Sequence, residues 1–127
     1  MQYYIECLKK YVVFSGRARR KEFWMFFLFD KIILIALYIL ACLLCSLGSA
    51  ALCQIAVVMI VLYCFAIILP TLSVTIRRLH DVGMSGWWVL IVFIPLGGLV
   101  ILGMMAADSQ PDDNKYGPNP KLQKVKL

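Results

Sequence analysis

Two basic motifs carry the residue types that could bind an anion. The first is the segment 16–24, Gly-Arg-Ala-Arg-Arg-Lys-Glu-Phe-Trp, and the second is the segment 77–88, which begins Arg-Arg-Leu-His-Asp. An arginine fork suits bidentate binding of phosphate or carboxylate. Arginines at one depth repel unless anions lie among them, so we expect either a lipid phosphate or internal partners such as Glu22, Asp30 and Asp81. The predicted anion-binding residues are Arg17, Arg20, Arg77, Arg78 and His80.

His80 and Asp81 invite a general acid–base interpretation, because a neighbouring carboxylate can raise a histidine pKa toward physiological pH. On a helix, however, adjacent residues do not face each other. His80 is the single histidine of the chain, so the sequence offers no second histidine for a metal site. We therefore predict no catalytic residue and no metal. We interpret His80 as a connector residue that caps a helix end or meets headgroups, with proton sensing as the alternative.

Asp30 is a carboxylate inside the first apolar run, directly before Lys31. A carboxylate within a membrane span costs on the order of 2.5–3.5 kcal/mol at the bilayer centre, so it normally faces a partner or water. One interpretation pairs Asp30 with the basic residues of segment 77–80, and the other leaves it in water before the span starts. The predicted intramembrane polar residues are Asp30, Thr71 and Thr75.

Five cysteines raise the question of redox chemistry. The spacing of Cys42 and Cys45 puts both on one helical face, and Cys53 could approach them from the next helix. A redox pair needs an activated thiolate, whereas apolar surroundings raise the pKa of a thiol. We therefore interpret the cysteines as small buried hydrophobic residues and predict no cofactor.

The composition indicates an integral membrane protein. The 127-residue chain is 62% apolar even without glycine, against roughly 45–50% with glycine counted in soluble domains. Charged residues make up 16%, and the mean hydropathy is +0.84. A soluble domain of this size needs far more polar surface than this chain can supply. The high apolar content also excludes an intrinsically disordered chain and a collagen-like chain. The net charge of +6 comes from basic residues beside apolar runs, so we expect lipid headgroups and no nucleic acid as partners.

Three apolar runs are long enough to cross a bilayer, which takes about 20 residues. The runs cover about 23–47, 51–76 and 86–107, and together form a membrane domain, 23–107. The segment 1–22 is basic and is predicted to contain an amphipathic helix that lies at the membrane interface. The segment 108–127 is predicted to be an extended polar tail. We therefore expect an all-α integral membrane fold of three spans, bent at Pro70 and near Pro95.

The basic residues set the expected orientation. The N-terminal segment and the connector 77–85 together carry eight Arg or Lys residues, whereas the turn 46–50 carries none. Since cytoplasmic loops are enriched in Lys and Arg, the N-terminus and the connector are predicted to be cytoplasmic. Three crossings would then put the tail on the outside. The predicted interface anchors are Trp24, Trp87 and Trp88.

The motifs also resemble those of a known family. The runs Phe-Ser-Gly-Arg, Arg-x-Glu-Phe-Trp, Arg-Arg-Leu-His-Asp, Ser-Gly-Trp-Trp and Tyr-Gly-Pro-x-Pro are similar to the pattern of domain of unknown function 805, the YhaH/YhaI-like bacterial inner-membrane proteins. This pattern covers nearly the whole chain. The resemblance implies a small multi-pass protein with no established reaction, so it carries over no catalytic residue. Met84 stands where many relatives would have a polar residue.

These observations favour a non-enzymatic inner-membrane protein whose basic cytoplasmic rim binds anionic lipid headgroups or a protein partner. One alternative is an oligomeric channel or transporter component for a small ion or solute, lined by Asp30, Thr71 and Thr75. A second alternative is a membrane enzyme acting on a lipid or phosphate, with His80 and Asp81 as acid and base. Because three spans make a thin bundle, we also expect a homo-oligomer or a membrane protein partner.

Overall fold

The computed structural model describes residues 2–120, and the regular elements in this part of the chain are helices, which confirms the all-α class. The described residues also contain an isolated antiparallel β-bridge between Asn114 and Gly117. The elements are α1, Gln2–Lys9; α2, Arg20–Ser46; α3, Ala50–Asp81; a 3₁₀ helix, Gly86–Phe93; and α4, Gly97–Ala106.

Helices α2 and α3 are the two elements of the described chain that are long and apolar enough to cross a membrane. They contain 27 and 32 residues, which at 1.5 Å per residue corresponds to about 40 and 48 Å. In their most apolar stretches only 11% and 6% of the residues are buried within the protein. The core helix of a soluble protein would be mostly buried, so these exposed apolar faces suit contact with lipid tails.

A tight turn joins α2 to α3 at the end of the molecule that carries no charged residue. Gly48 adopts φ +76°, the left-handed conformation that commonly ends a helix. Ser49 then caps α3, because its hydroxyl oxygen accepts a hydrogen bond from the Leu52 amide at 3.4 Å. The two helices therefore run antiparallel from this turn.

The cysteines differ from the expectation of small buried residues. Cys45 and Cys53 flank the turn and form a disulfide with their Cα atoms 4.6 Å apart. Cys42 and Cys64 are exposed on the apolar helix surfaces, and Cys7 alone of the three free cysteines is buried. The reason is geometric: the short turn returns α3 directly alongside the last turn of α2, within the Cα separation that a disulfide requires.

The segment predicted as a third span forms a helical hairpin instead. The 3₁₀ helix and α4 are separated by a break at Ile94–Leu96, where Leu96 takes the left-handed conformation with φ +66°. A Cβ atom on Gly97 would lie 1.6 Å from the Ile91 carbonyl oxygen, so the backbone folds back on itself here. At about 15 Å, α4 is half as long as a bilayer crossing.

Both ends of this hairpin lie beside the end of α3. A Cβ atom on Gly86, at its start, would lie 3.4 Å from the His80 ring. The carbonyl oxygen of Met105, at its other end, accepts hydrogen bonds from Arg78. The hairpin therefore enters and leaves at one end of the molecule and replaces the predicted third span.

Because the hairpin returns the chain, the described part of the tail lies at the same end as Arg17, which corrects the expectation of an extended tail on the opposite side. The segment 108–120 folds over the ends of α2 and α3, and Asn114 and Gly117 exchange backbone hydrogen bonds of 3.1 and 3.0 Å in a turn. Lys115 thus joins the basic residues at this end. The remaining tail lysines, Lys121, Lys124 and Lys126, lie outside the described residues.

The short helix α1 packs against α2 and α3 at the end of the molecule where α2 begins. The Tyr4 ring stacks on Phe26 with ring centres 5.3 Å apart, and Cys7 is fully buried. The hydroxyl of Ser73 lies 2.7 Å from the carbonyl oxygens of both Lys10 and Val13. Helix α3 thereby fixes the segment that leads from α1 toward Arg17.

Candidate anion pocket at the arginine rim

The two arginine motifs meet at the end of the molecule opposite the disulfide, which we name the arginine rim. It is formed by the segment before α2, the last turn of α3 and the described tail. The backbone amide of Ala18 donates a 3.0 Å hydrogen bond to the carbonyl oxygen of Arg77, so the motifs are in direct contact. The rim holds Arg17, Arg20, Arg77 and Arg78.

Asp81 is the internal partner of two of these arginines. Its carboxylate accepts hydrogen bonds from Arg17 Nε at 3.0 Å and from Arg78 Nη1. Arg78 also donates to the carbonyl oxygens of Met105, at 3.1 Å from Nη2, and of Ala107. The hydroxyl of Ser109 bonds to the same carboxylate. Since each nitrogen of the Arg78 guanidinium has a protein acceptor, Arg78 serves the fold and has no donor left for a ligand.

Arg17 fastens the tail to the rim. Its Nη1 atom donates to the carbonyl oxygens of Asp112 at 3.0 Å and Gly117 at 3.3 Å. Its Nη2 atom donates to those of Gln110 at 2.9 Å and Asp81 at 3.2 Å. Every nitrogen of this guanidinium thus has a protein acceptor, and the side chain contributes charge rather than free donors to its surroundings.

Unlike Arg17 and Arg78, Arg77 keeps N–H donors that have no acceptor among the described residues. Its Nη1 atom donates to Glu22 at 2.8 Å, and the arginine side chain is 3% exposed. Its Nε and Nη2 atoms are buried and have no hydrogen-bond partner in residues 2–120. Buried polar groups are nearly always hydrogen-bonded in native structures, so these two N–H groups need an acceptor that the described residues do not supply, either water or a ligand.

Glu22 also faces the thiol of Cys7, whose Sγ atom lies 3.6 Å from Oε1. Burial, together with the negative charge of Glu22, raises the pKa of the Cys7 thiol to about 12. The thiol therefore remains protonated at neutral pH and acts as a weak donor to the carboxylate, not as a nucleophile.

A pocket of about 260 Å³ opens beside Arg77. Three cationic residues line it, Lys10, Arg17 and Arg77, and none of its described lining residues carries a carboxylate. The rest of the wall comes from the segment before Arg17 and from the tail between Tyr116 and Pro120. Sequence reasoning did not include Lys10 in the site, although it lies in the basic N-terminal segment. We name this cavity the rim pocket.

The other two predicted anion-binding residues lie elsewhere. Arg20 donates from Nη1 to the carbonyl oxygen of Ala106 at 3.2 Å and does not line the rim pocket. The His80 ring stacks on Tyr116 with ring centres 3.9 Å apart, and its Nδ1 atom lies 3.1 Å from the Gly16 carbonyl oxygen. Since the carboxylate of Asp81 faces the arginines, His80 and Asp81 do not form the acid–base pair considered from the sequence.

The comparisons with known proteins agree with the membrane architecture. The profile of the family described as "Protein of unknown function (DUF805)" matches residues 11–118. The chain is 42% identical to inner membrane protein YhaI of Escherichia coli strain K12 over 123 residues, which is 96% of this chain and 98% of YhaI. It is 38% identical to inner membrane protein YhaH of the same strain over 124 residues, covering 97% and 99% of the two chains. The chain belongs to the DUF805 family. No solved structure matches it significantly.

Asp30 of this DUF805 protein has partners other than those predicted. Its carboxylate accepts a hydrogen bond from the Tyr63 hydroxyl at 2.8 Å and pairs with Lys31 at 2.9 Å. It makes no ion pair with Arg77 or Arg78, because these are bound to Glu22 and Asp81. The side chain of Asp30 is 7% exposed, so the interpretation of a carboxylate in water is not supported either.

The predicted intramembrane polar residues nevertheless share one cavity in the DUF805 fold. A space of about 470 Å³ between α2, α3 and the hairpin is lined by Asp30, Thr71 and Thr75 together with mostly apolar side chains. The hydroxyl of Thr75 donates to the carbonyl oxygen of Thr71 at 2.7 Å, so it is already satisfied within α3.

The three tryptophans divide into two groups. Trp24 donates from Nε1 to the Met105 carbonyl oxygen at 3.2 Å, and so connects α2 to the end of the hairpin. Trp87 and Trp88 are 79% and 44% exposed at the start of the 3₁₀ helix. The hydroxyl oxygen of Ser85 accepts a hydrogen bond from the Trp87 amide, as expected for a helix cap. Within the described residues of the DUF805 chain, no group of three or more potential ligands could hold a metal.

Proposed function

We propose that this DUF805 protein is a non-enzymatic component of the bacterial inner membrane whose rim pocket binds the phosphate of an anionic lipid headgroup. The observation that carries the proposal is the pair of buried Arg77 nitrogens, Nε and Nη2, that lack an acceptor among the described residues. Adjacent guanidinium N–H groups form the fork that fits two oxygens of a phosphate. Arg77 is therefore the residue that selects the ligand.

The two other cations of the pocket have supporting roles. Arg17 is held by Asp81 and by tail carbonyl groups, so it supplies a fixed positive charge beside Arg77. Lys10 is exposed, and its flexible ammonium group can move onto a phosphate oxygen. The carboxylates of Glu22 and Asp81, which pair with Arg77 and Arg17, are not among the described lining residues, so the pocket wall presents cationic and no anionic side chains to a ligand.

The position of the pocket supports a lipid rather than a soluble anion as the ligand. The pocket lies at the rim, where α3 ends. Further along α2, Leu28 and Ile32 are each 51% exposed and begin the apolar surface. A phosphate at the boundary between a basic rim and an apolar surface is the arrangement that a phospholipid offers.

We infer a cytoplasmic position for the rim from the distribution of charge. With the tail folded back, the N-terminal segment, the end of α3 and the described tail bring their basic residues to one end of the molecule: Lys9, Lys10, Arg17, Arg19, Arg20, Lys21, Arg77, Arg78 and Lys115. The turn between α2 and α3 contains no Lys or Arg. The rule that cytoplasmic segments are enriched in these residues then favours an N-terminus in the cytoplasm.

Lipid binding can be tested with the purified full chain by native mass spectrometry from mixed micelles of phosphatidylglycerol and phosphatidylcholine. We expect the wild-type protein to retain phosphatidylglycerol preferentially. The substitution Arg77→Lys keeps a cation beside Glu22 but removes the fork, and it should reduce that retention about tenfold, because one strong charge-assisted hydrogen bond to the phosphate is removed. Lys10→Gln should reduce it about threefold. The matched control is Lys9→Gln, an exposed lysine outside the pocket lining.

A second arm separates the sources of phosphate and guards against misfolding. Thermal unfolding in neutral detergent is followed with added phosphatidylglycerol, with inorganic phosphate or with an acidic peptide, and each variant must unfold cooperatively to be compared. Stabilisation by the lipid but not by inorganic phosphate supports a headgroup site. If inorganic phosphate stabilises the protein as much as the lipid does, the lipid is overturned as the ligand. Stabilisation by neither, or by an acidic peptide only, overturns the proposal of a phosphate site.

A second candidate function is permeation, because Asp30, Thr71 and Thr75 line one cavity. Both oxygens of Asp30 already have partners, Tyr63 and Lys31, and most of the lining is apolar. A conducting path would therefore require an oligomer that adds polar groups to this cavity. Vesicles containing the reconstituted protein should then conduct small ions, and Asp30→Asn should change the flux; absence of flux for wild type eliminates this candidate.

A further inference from the structure

The disulfide lies at the opposite end of the spanning helices from the arginine rim. Cys45 belongs to the last turn of α2 and Cys53 to the first turn of α3. Between Cys53 and Arg77 the helix α3 extends for about 36 Å, which exceeds the hydrocarbon thickness of a bilayer, about 30 Å. The two ends of the α2–α3 pair therefore face different compartments when the helices cross the membrane.

The chemical conditions at these two ends must differ. Disulfides form and persist in oxidising compartments such as the bacterial periplasm, whereas cytosolic thiols are kept reduced. The turn that the disulfide closes consists of uncharged residues, and the rim at the other end carries the arginines. The disulfide and the charge distribution are independent observations, and both indicate the same orientation.

We propose that the Cys45–Cys53 disulfide is introduced by oxidation on the periplasmic side of the membrane, which makes the α2–α3 turn a site of oxidative modification. This inference rests on the orientation used in the proposed function but not on the rim pocket. It assigns a chemical role to two cysteines that composition and spacing alone did not distinguish from small hydrophobic residues.

The oxidation balances as a thiol–disulfide exchange with a periplasmic thiol oxidase. One thiolate of the pair attacks the oxidase disulfide and forms a mixed disulfide, which releases one oxidase thiol. The second thiolate then attacks the mixed disulfide, so that the Cys45–Cys53 bond forms and the second oxidase thiol leaves. The two protein thiols lose two protons and two electrons in total, and the oxidase disulfide is reduced to a dithiol.

The other three cysteines serve as internal references in the same chain. Cys42 precedes Cys45 by one helical turn and is exposed on the apolar surface, as is Cys64. Cys7 is a free cysteine that lies buried beside Glu22 at the rim. The number of protected thiols therefore shows whether one disulfide forms, and substitutions identify the cysteines that form it.

The experiment counts free thiols in the full chain taken from cells. Cells are quenched with acid, the protein is denatured, and thiols are alkylated with a polymer-linked maleimide that retards the band once per thiol. We expect three alkylated cysteines without reductant and five after reduction. In cells lacking the periplasmic thiol oxidase, five should react without reductant.

Two substitutions make the assignment specific. Cys45→Ser should leave four reactive thiols with or without reductant, whereas the matched control Cys42→Ser should leave two before reduction and four after it. Five reactive thiols in oxidase-competent cells, or protection of Cys42 in place of Cys45, overturns the inference. Loss of protection with lipid retention intact contradicts only this inference, and loss of lipid retention with protection intact contradicts only the rim pocket.

Discussion

Arg17 and Asp81 are separated by 64 positions in the chain and form an ion pair of 3.0 Å whose side chains are 1% and 0% exposed. The pair joins the segment before α2 to the last residue of α3. Through the same guanidinium and the same carboxylate it also holds the tail, because Arg17 bonds to Gln110 and Asp81 bonds to Ser109. One buried ion pair thus organises three separate parts of the rim.

Asp81→Asn should be the most destabilising single change at the rim. It removes the carboxylate from two buried arginines, Arg17 and Arg78, and breaking a buried ion pair on one side typically costs about 3–5 kcal/mol. The free energy of unfolding in detergent, measured with a denaturant, tests this expectation. Asp112→Asn is the control, since its exposed carboxylate lies outside these pairs and should change stability by less than about 0.5 kcal/mol. Equal effects of the two substitutions would contradict the role of Asp81.

Arg17→Lys should release the described tail while α2 and α3 stay folded. Lysine keeps the charge opposite Asp81 but cannot donate simultaneously to the carbonyl oxygens of Asp112, Gly117 and Gln110. Hydrogen exchange in segment 108–120 should therefore accelerate at least tenfold, with exchange in α3 unchanged. Arg20→Lys is the matched control, because Arg20 bonds to Ala106 and to no residue of the described tail. Unchanged protection of the tail would show that other interactions hold it.

Gly97→Ala should disrupt the hairpin, whereas Gly103→Ala should not. A Cβ atom on Gly97 would lie 1.6 Å from a backbone oxygen of Ile91, while one on Gly103 would meet nothing within 4 Å. Forcing extra volume into a packed site costs about 1–3 kcal/mol, and here a backbone atom must move. The difference in thermal unfolding temperature between the variants measures the effect. In a straight third span both alanines would be tolerated, so equal stabilities would contradict the hairpin.

The hydrogen bond between Tyr63 and Asp30 should contribute measurably to the packing of α2 on α3. Hydrogen bonds between membrane helices average about 0.6 kcal/mol and reach about 1.7 kcal/mol in double-mutant cycles. We expect a coupling energy in this range between Tyr63→Phe and Asp30→Asn, from unfolding in mixed micelles. Tyr38→Phe serves as the control, because Tyr38 is 65% exposed on α2. A coupling indistinguishable from zero would mean that the bond does not form in lipid.

Both chain ends should face the same compartment. Topology reporters fused before Gln2 and after Leu127 should give the same signal, because the hairpin adds no crossing. A reporter inserted at Gly48, in the turn between α2 and α3, should give the opposite signal. Opposite signals from the two ends would restore a third span and contradict the position of the tail.

The meeting of the arginine motifs was predictable, and the hairpin was not. The motifs flank two apolar runs that can only return antiparallel, so their meeting follows from chain connectivity, as the hydrogen bond between Ala18 and Arg77 shows. Segment 86–107 is long and apolar enough for a crossing, and its composition does not distinguish a span from a hairpin. The signal that could have found the hairpin is Pro95 followed by Gly97 and Gly98, a combination typical of a turn.

The rim pocket depends on tertiary detail that no residue pattern contains. The sequence offers Glu22 and Asp81 as possible internal anions, but the arginine that each one pairs with depends on the rotation of α2 against α3. The donors left free on Arg77 arise because Glu22 reaches only its Nη1 atom. Lys10 enters the pocket because Ser73 fixes the chain that follows α1. Sequence spacing cannot resolve interactions of this kind.

The uncharged turn between α2 and α3 also bears on how the chain reaches its final place. Only Leu47, Gly48 and Ser49 separate the two helices, and none of them is ionisable. Moving this segment through the hydrocarbon layer requires no dehydration of a charge, whereas moving the opposite end would require dehydration of several. Two helices joined by such a short uncharged turn are therefore suited to enter a bilayer together as one unit, while the arginines at the other end remain in water.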